Sequence, residues 1–316
     1  MGASTLGSRA IIGRFYKTLE QDPGMSWIDA VSMYFNSDQG SEEYRWLGQS
    51  PAMREWVGGR HAKGFVENGL TIANKHYEAT VEVPVADLRR DKTGQVMVRI
   101  DELAQRTNAH WAKLLSTLII NGESAVCYDG EYFFDTDHVE HATVTQQSND
   151  LSVDISALTV SNHGTVTAPS VAEAALAVQQ AIAAMYGFKD DQGEPMNENA
   201  QRFLLMAPVS LYPALLSAVT MPIIDGGDSN VLPAQRNFSI LPVANPRLTW
   251  TDKFALFRAD GSVKPFIRQE ETAVRLSAKA EGSEFEFDND AHQYGVDTWR
   301  NVGYGYWQHA CLVTMI

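Results

Sequence analysis

Between Asp135 and His141 the chain sets three carboxylates and two imidazoles within seven residues, Asp135-Thr136-Asp137-His138-Val139-Glu140-His141. Carboxylate oxygens and imidazole nitrogens are donors for divalent metals, and a metal held there could activate water, as in a metal-dependent hydrolase. The spacing fits neither the H-E-x-x-H helix of zinc hydrolases nor an EF-hand loop. The competing reading is a polar loop whose Asp and His side chains bond nearby backbone groups. Asp225-Gly226-Gly227-Asp228-Ser229-Asn230 could cradle a cation, but it occurs once, lacks a following Glu and reads as an exposed loop tip. The sequence has no G-x-x-x-x-G-K-[ST], no G-x-G-x-x-G after a strand and no G-x-S-x-G. Cys127 and Cys311 stand far apart, in no metal-ligand spacing, and read as two buried thiols. Trp299, Tyr304, Tyr306 and Trp307 could stack on bases, but few cations accompany them, so a β-core or subunit interface is the better reading. The expectation is therefore no catalytic residue, no cofactor and no metal.

The elements around these residues follow from periodicity. Residues 7–20 form an amphipathic helix with Ile11, Ile12, Phe15 and Leu19 on one side, ended at Asp22-Pro23-Gly24. An aromatic patch runs from Trp27 to Phe35. From Lys63 onward apolar content thins. Thr71–Ala73 and Tyr77–Val83 read as strands of a projecting loop that needs a neighbour. Val96, Ile100, Leu103, Leu114, Leu118 and Ile119 recur at helical spacing, predicting a helix over 95–120 about 38 Å long, with Asp101 and Glu102 near its positive end and His110 upon it. Asp129-Gly130 predicts a type I′ hairpin across 126–134. Ser170 and Glu173 form a capping box that opens an Ala-rich helix to Tyr186. A strand at 203–207 and a helix from Ser210 follow. Further strands are expected at 254–257, 264–269, 273–279, 284–287 and 304–315. The fold class is mixed α+β.

Composition narrows the function. The 316 residues are 44% hydrophobic and 20% charged, ordinary for a globular chain with a sizeable core. The net charge of −14 argues against binding nucleic acid through an average field. No apolar run approaches the length of a membrane span, and the N-terminus has no apolar signal-peptide region. Tyr44–Arg60, YRWLGQSPAMREWVGGR, gathers a Tyr, two Trp and three Arg in a stretch without catalytic spacing. Rigid aromatics beside Arg suit partner-facing surface, which points to self-association.

These parts, in this order, resemble the major head protein of Mu-like phages and prophages. The resemblance rests on WLG and REWVGGR within Tyr44–Arg60, on Ile72-Ala73-Asn74-Lys75, and on Cys127-Tyr128-Asp129-Gly130 leading to Phe133-Phe134-Asp135-Thr136-Asp137-His138. The block FLLMAPVSLYPALL at 203–216 is similar to the strand-then-helix of such shells. Val139 stands where that family commonly has Pro, a local departure that bears on the shape of the loop. The resemblance implies a Hong Kong 97-type capsid fold: an N-terminal arm and linking segment (1–62), an extended β-loop (63–94), a peripheral domain with a long spine helix (95–165 and 272–316) and an axial domain (166–271). It implies a structural subunit and not an enzyme, assembling with itself into hexamers and pentamers of an icosahedral shell around double-stranded DNA. Scaffold, portal and decoration proteins are the implied partners, with no sequence-specific DNA contact and no membrane. Trp46, Trp56, Arg60 and Lys75 are the candidate assembly contacts. Some family members join a Lys to an Asn between subunits. Lys63, Lys75 and Lys92 lie in or near the loop, where exposed Lys is common without such chemistry. The alternative on the same fold is the shell of a cellular nanocompartment.

Overall fold

The computed structural model describes residues 7–22, 24–47, 69–91, 93–139, 145–224 and 227–316. The chain begins with α1 (Ser8–Gln21), α2 (Trp27–Val31), β1 (Ser32–Asn36) and β2 (Ser41–Tyr44). Next come β3 (Leu70–Ala73), β4 (Lys75–Pro84), α3 (Val85–Arg90) and the long α4 (Gln95–Ile120). After β5 (Asp150–Val153) come α5 (Val171–Gly187), β6 (Arg202–Ala207), α6 (Tyr212–Thr220), β7 (Ile223–Ile224), β8 (Asp228–Ser229) and β9 (Ser239–Ala244). The chain closes with β10 (Lys253–Arg258), β11 (Phe266–Lys279), α7 (Glu284–Asn289), β12 (Ala291–Tyr304) and β13 (Ala310–Met315).

Two sheets organise these parts. A four-stranded sheet runs β1-β11-β12-β4, and a five-stranded sheet runs β5-β13-β10-β6-β9. The second reads as near-continuous apolar sequence because both faces are covered: Phe203–Met206 and Phe254–Phe257 are all buried. It shares a core with α5, α6 and the C-terminal half of α4. Helix α5 begins at the expected capping box, with Ser170 accepting from the Glu173 N–H and Glu173 accepting from the Ser170 N–H.

Helix α4 occupies the span its periodicity predicts. Val96, Ile100, Leu103 and Ala104 pack with Ile11 and Phe15 of α1 against Tyr294 and Val296 of the four-stranded sheet. Asp101 serves a role other than offsetting the helix dipole. Its carboxylate takes two hydrogen bonds from Arg14 at 2.7 and 2.6 Å and one from Thr18 at 2.6 Å, tying α1 to α4. The start of α4 is capped by Asp91, which accepts from the N–H groups of Gln95 and Val96 at 2.9 and 3.0 Å. Gly94, at φ 75°, supplies the left-handed turn between them.

Four sequence expectations change. The thin strand at 77–83 does have a neighbour, but in its own chain: β4 pairs antiparallel with β12 from Lys75↔Arg300 to Pro84↔Ala291. The expected strand at 284–287 is α7. Its Glu-Phe-Glu-Phe alternation imitates a strand, while Ser283 accepts from the Glu286 N–H as a helix cap and Phe287 lies 91% exposed. The hairpin after α4 is not a two-residue I′ turn. Gly130 N–H bonds the Cys127 carbonyl, and of Asp129 and Gly130 only Gly130 has the positive φ that a I′ turn needs at both. Finally, β13 lies between β5 and β10, so the last strand belongs with the sheet of β6 and β9 rather than with β11 and β12.

Candidate functional site

The polar cluster singled out by its residue types divides in two. Asp129 and His138 turn inward. His138 is fully buried, with Nδ1 2.7 Å from Asp129 Oδ2 and Nε2 3.2 Å from Asn149 Oδ1. Its ring stacks on the buried Trp307 at 4.0 Å between centroids and 7° between planes. Asn149 is oriented by donating its amide to the carbonyls of Phe133 and Trp307, so its Oδ1 faces His138 and the Asp135 N–H. Asp129 also accepts from Cys127 Sγ at 2.9 Å and from the Glu131 N–H. Burial alone raises the Asp129 carboxyl, but the bonds from His138, Cys127 and Glu131 outweigh it and hold the group below the ordinary carboxylate range.

Donor atoms of Cys127, Asp129 and His138 lie within 4.8 Å of one another, which is metal-binding proximity. Their chemistry here is otherwise: each donor is already hydrogen-bonded to another member, and the imidazole is pressed flat on an indole. The network joins the 126–134 hairpin to the segment before β5 and to the turn before β13. Glu131, Asp135 and Asp137 form a separate acidic cluster toward the surface. The Asp137 carboxyl is raised there by its hydrogen bond to Asp135 and by the Asp135 charge. Glu140 and His141 lie outside the described residues, as do Asp225 and Gly226 of the Gly/Asp loop. Asp228 and Ser229 of that loop form β8, paired with β7.

Trp56 and Arg60 lie outside the described residues, with Lys63 and Lys92. Trp46 falls in a single 3₁₀ turn, Arg45–Leu47, that follows β2. Lys75 opens β4 and is exposed. Strands β2 and β3 pair as the two sides of the 48–68 segment, Ser41↔Ala73 to Tyr44↔Leu70. Their packing on the main body is close. A Cβ at Gly303 would stand 2.3 Å from Ile72 Cδ1, so any larger residue in β12 there would have to displace the Ile72 side chain of β3. Ile223 of β7, Val231 just after β8 and Leu241 of the edge strand β9 are 60%, 59% and 48% exposed. His110, by contrast, is structural. Arg300 Nε donates to its Nδ1 at 3.1 Å, and burial followed by the charges of Arg300, Lys113 and Arg247 lowers its pKa to about 4. Tyr304, Tyr306 and Trp307 are buried in the core, with Trp299 at 38% exposure.

Sequence reasoning found His138 by its type but missed Asn149 and Trp307, its other partners. Nothing local marks them, since they reach the site from 11 and 169 residues away along the chain.

This arrangement, a spine helix between a long-stranded sheet and a second apolar sheet, is the mixed α+β fold of Hong Kong 97-type capsid structures. The procapsid of bacteriophage JBD30 is similar to 97% of this chain and 73% of its own, with a TM-score of 0.57 and 23% identity. Residues 8–164 and 242–315 match the Mu-like prophage major head subunit gpT family, and the chain belongs to that family. Its members are structural proteins of the phage head and not enzymes. The Mu-like prophage FluMu major head subunit of Haemophilus influenzae is 34% identical over 36% of this chain and 37% of its own. The major capsid protein of Escherichia phage Mu is 33% identical over 41% and 42%. The chain thus spans about two-fifths of the curated relatives it matches. The family match omits 165–241, which includes the 203–216 block.

Proposed function

We propose that this chain is the major capsid subunit of a Mu-like tailed phage, assembling into hexamers and pentamers of an icosahedral shell around double-stranded DNA. The observation that carries the proposal is the match of two long blocks, 8–164 and 242–315, to a family of head subunits. The four-stranded sheet with α1 and α4 is the peripheral domain. The five-stranded sheet with α5 and α6 is the axial domain, whose exposed Ile223, Val231 and Leu241 meet their copies around the ring axes. The N-terminal arm and linking segment (1–62) and the extended loop (63–94) supply contacts to neighbours, with Trp46, Trp56, Arg60 and Lys75 among them.

Many modest contacts then reinforce one another through closure of the shell. The charge of −14 suits a container that must release its DNA. Scaffold and portal proteins are partners, and so is a decoration protein. In the JBD30 fold neighbour the capsid is decorated with minor capsid protein trimers. The test is cryo-microscopy and sedimentation of the full chain expressed with its scaffold. Closed particles or capsomer rings are expected. A compact monomer at high concentration would overturn the proposal, and enzyme cargo in place of DNA would favour the nanocompartment.

A further inference from the structure

Helix α4 carries three cations at seven-residue spacing, Arg99, Arg106 and Lys113. Seven residues is nearly two turns, so the three lie along one side of the helix, about 10 Å apart. All three are exposed and rim a groove of about 600 Å³ between α4 and the edge strand β4. Val81, Leu103 and Val296 give the groove an apolar floor. Glu78 and Glu102 line it too, Glu102 accepting from Arg106 at 2.5 Å, but against Arg99, Arg106, Lys113 and Arg300 the lining stays net positive. Toward α3 a hollow of about 330 Å³ shares Arg99 and adds Arg90, but Glu82, Asp87 and Asp91 also line it, so the positive stretch ends there.

The complement of this groove lies on the same chain. From Ala280 to Trp299 there is no Lys or Arg, and Glu281, Glu284, Glu286, Asp288 and Asp290 crowd around α7. In their midst Phe287 stands 91% exposed. It is the most exposed large apolar side chain among the described residues, and it stands at the tip of a hairpin of two 14-residue strands, within the acidic cluster. Its own groove does not cover it. Glu281 accepts two hydrogen bonds from Ser8, and Glu286 pairs with His292 at 3.0 Å. These bonds hold α7 at the hairpin end with Phe287 in solvent.

We infer that the α7 tip docks into the α4–β4 groove of a second copy, with Phe287 on the apolar floor and Glu284 and Asp288 against Arg99 and Arg106. The inference rests on the shell function proposed above and names one of its contacts. Aromatic anchors ringed by charge are what interfaces concentrate their affinity on.

The test measures the concentration at which half the full-length protein sediments as particles, with thermal unfolding of each variant alongside. Phe287→Ser should raise that concentration at least about ten-fold without moving the unfolding midpoint, because the side chain is solvated in the free subunit. Arg99→Glu with Arg106→Glu should abolish particles, and adding Glu284→Arg with Asp288→Arg should restore them. Wild-type particles together with an unchanged threshold for Phe287→Ser would overturn this contact and leave the shell function standing. Failure of the combined charge swap to rescue would overturn it as well, since the occupant would then be another protein. Absence of particles from the wild type would remove the shell function and this contact together.

Discussion

The buried Asp129–His138 pair makes a sharp prediction. His138→Phe keeps an aromatic ring against Trp307 but removes both nitrogens. Asp129, whose side chain is 5% exposed, would then keep only Cys127 Sγ and the Glu131 N–H as donors in a site closed to water. Stripping a buried carboxylate of its nearest hydrogen-bond partner costs about 3–5 kcal/mol. Unfolding entropy of about 2.1 cal/mol/K per residue gives about 0.66 kcal/mol/K for 316 residues, so the midpoint should fall by about 5–8 °C. Asp129→Ala should cost a similar amount, because His138 Nδ1 would lose its partner at 2.7 Å.

The informative variant is the double. With both partners gone no buried polar group is stranded, so the combined loss should fall short of the sum by about 2 kcal/mol or more. The assay is urea unfolding of the unassembled subunit, comparing midpoints at constant slope. Losses that add within about 0.5 kcal/mol would show that the two groups do not act as a unit. A single-variant loss below about 1 kcal/mol would show that water reaches the site, and the reasoning from burial would be refuted.

Acid should destabilise the subunit in a defined window. Burial, with the charges of Arg300, Lys113 and Arg247, lowers His110 to about 4, and burial, with Arg258 and Lys264, lowers His309 to about 3. Unfolded histidines titrate near 6.5, so on acidification the unfolded state takes up protons first. Their contribution is fully present above pH 6.5 and is lost as pH falls toward 4. Urea midpoints at pH 7 and pH 4.5 should differ, and His110→Asn should reduce the difference. Trp56→Ala should impair particle formation more than folding of the isolated subunit, and equal losses in both assays would count against an interface role. Boiled particles on a denaturing gel should run as a single band near 35 kDa, whereas a ladder would reveal covalent links between subunits.

What the sequence revealed depended on whether a segment's partner is local. Helix α4 was legible to the residue because its burial repeats at helical spacing and its stop, Asn121-Gly122, adjoins it. The α5 cap was legible for the same reason. Strand β12 was missed as far as Gly303, although it is the centre of the four-stranded sheet. Its run AHQYGVDTWRNVGY alternates buried and half-buried positions, but the buried set includes Thr298 and Arg300, polar residues satisfied by distant partners. Arg300 Nη2, for example, donates to the Thr107 carbonyl and its guanidinium lies 4.6 Å over Trp111, both on α4. Helix α7 was misread for the opposite reason, since of its alternating Phe residues Phe285 is only half-buried and Phe287 lies in solvent.

The same distinction explains why a cluster of carboxylates and imidazoles sits in a shell protein. Composition placed His138 among candidate ligands, yet its role is set by Asn149 and Trp307, which the fold brings to it from 11 and 169 residues further along the chain. A polar pair in that position is a poor way to add stability, because an apolar replacement of both partners would cost less in desolvation. It does discriminate between registers. A slip of one residue in the hairpin or in β13 would leave Asp129 buried without His138, or Asn149 without its two carbonyls. A subunit that must take nearly the same shape at every lattice position has reason to favour such discrimination over raw stability. The double variant separates the two: if the pair serves register, the Asp129→Ala, His138→Phe subunit should remain folded but assemble less uniformly, with malformed particles in negative-stain images. Uniform wild-type shells from that variant would refute the register role while leaving the coupling energy intact.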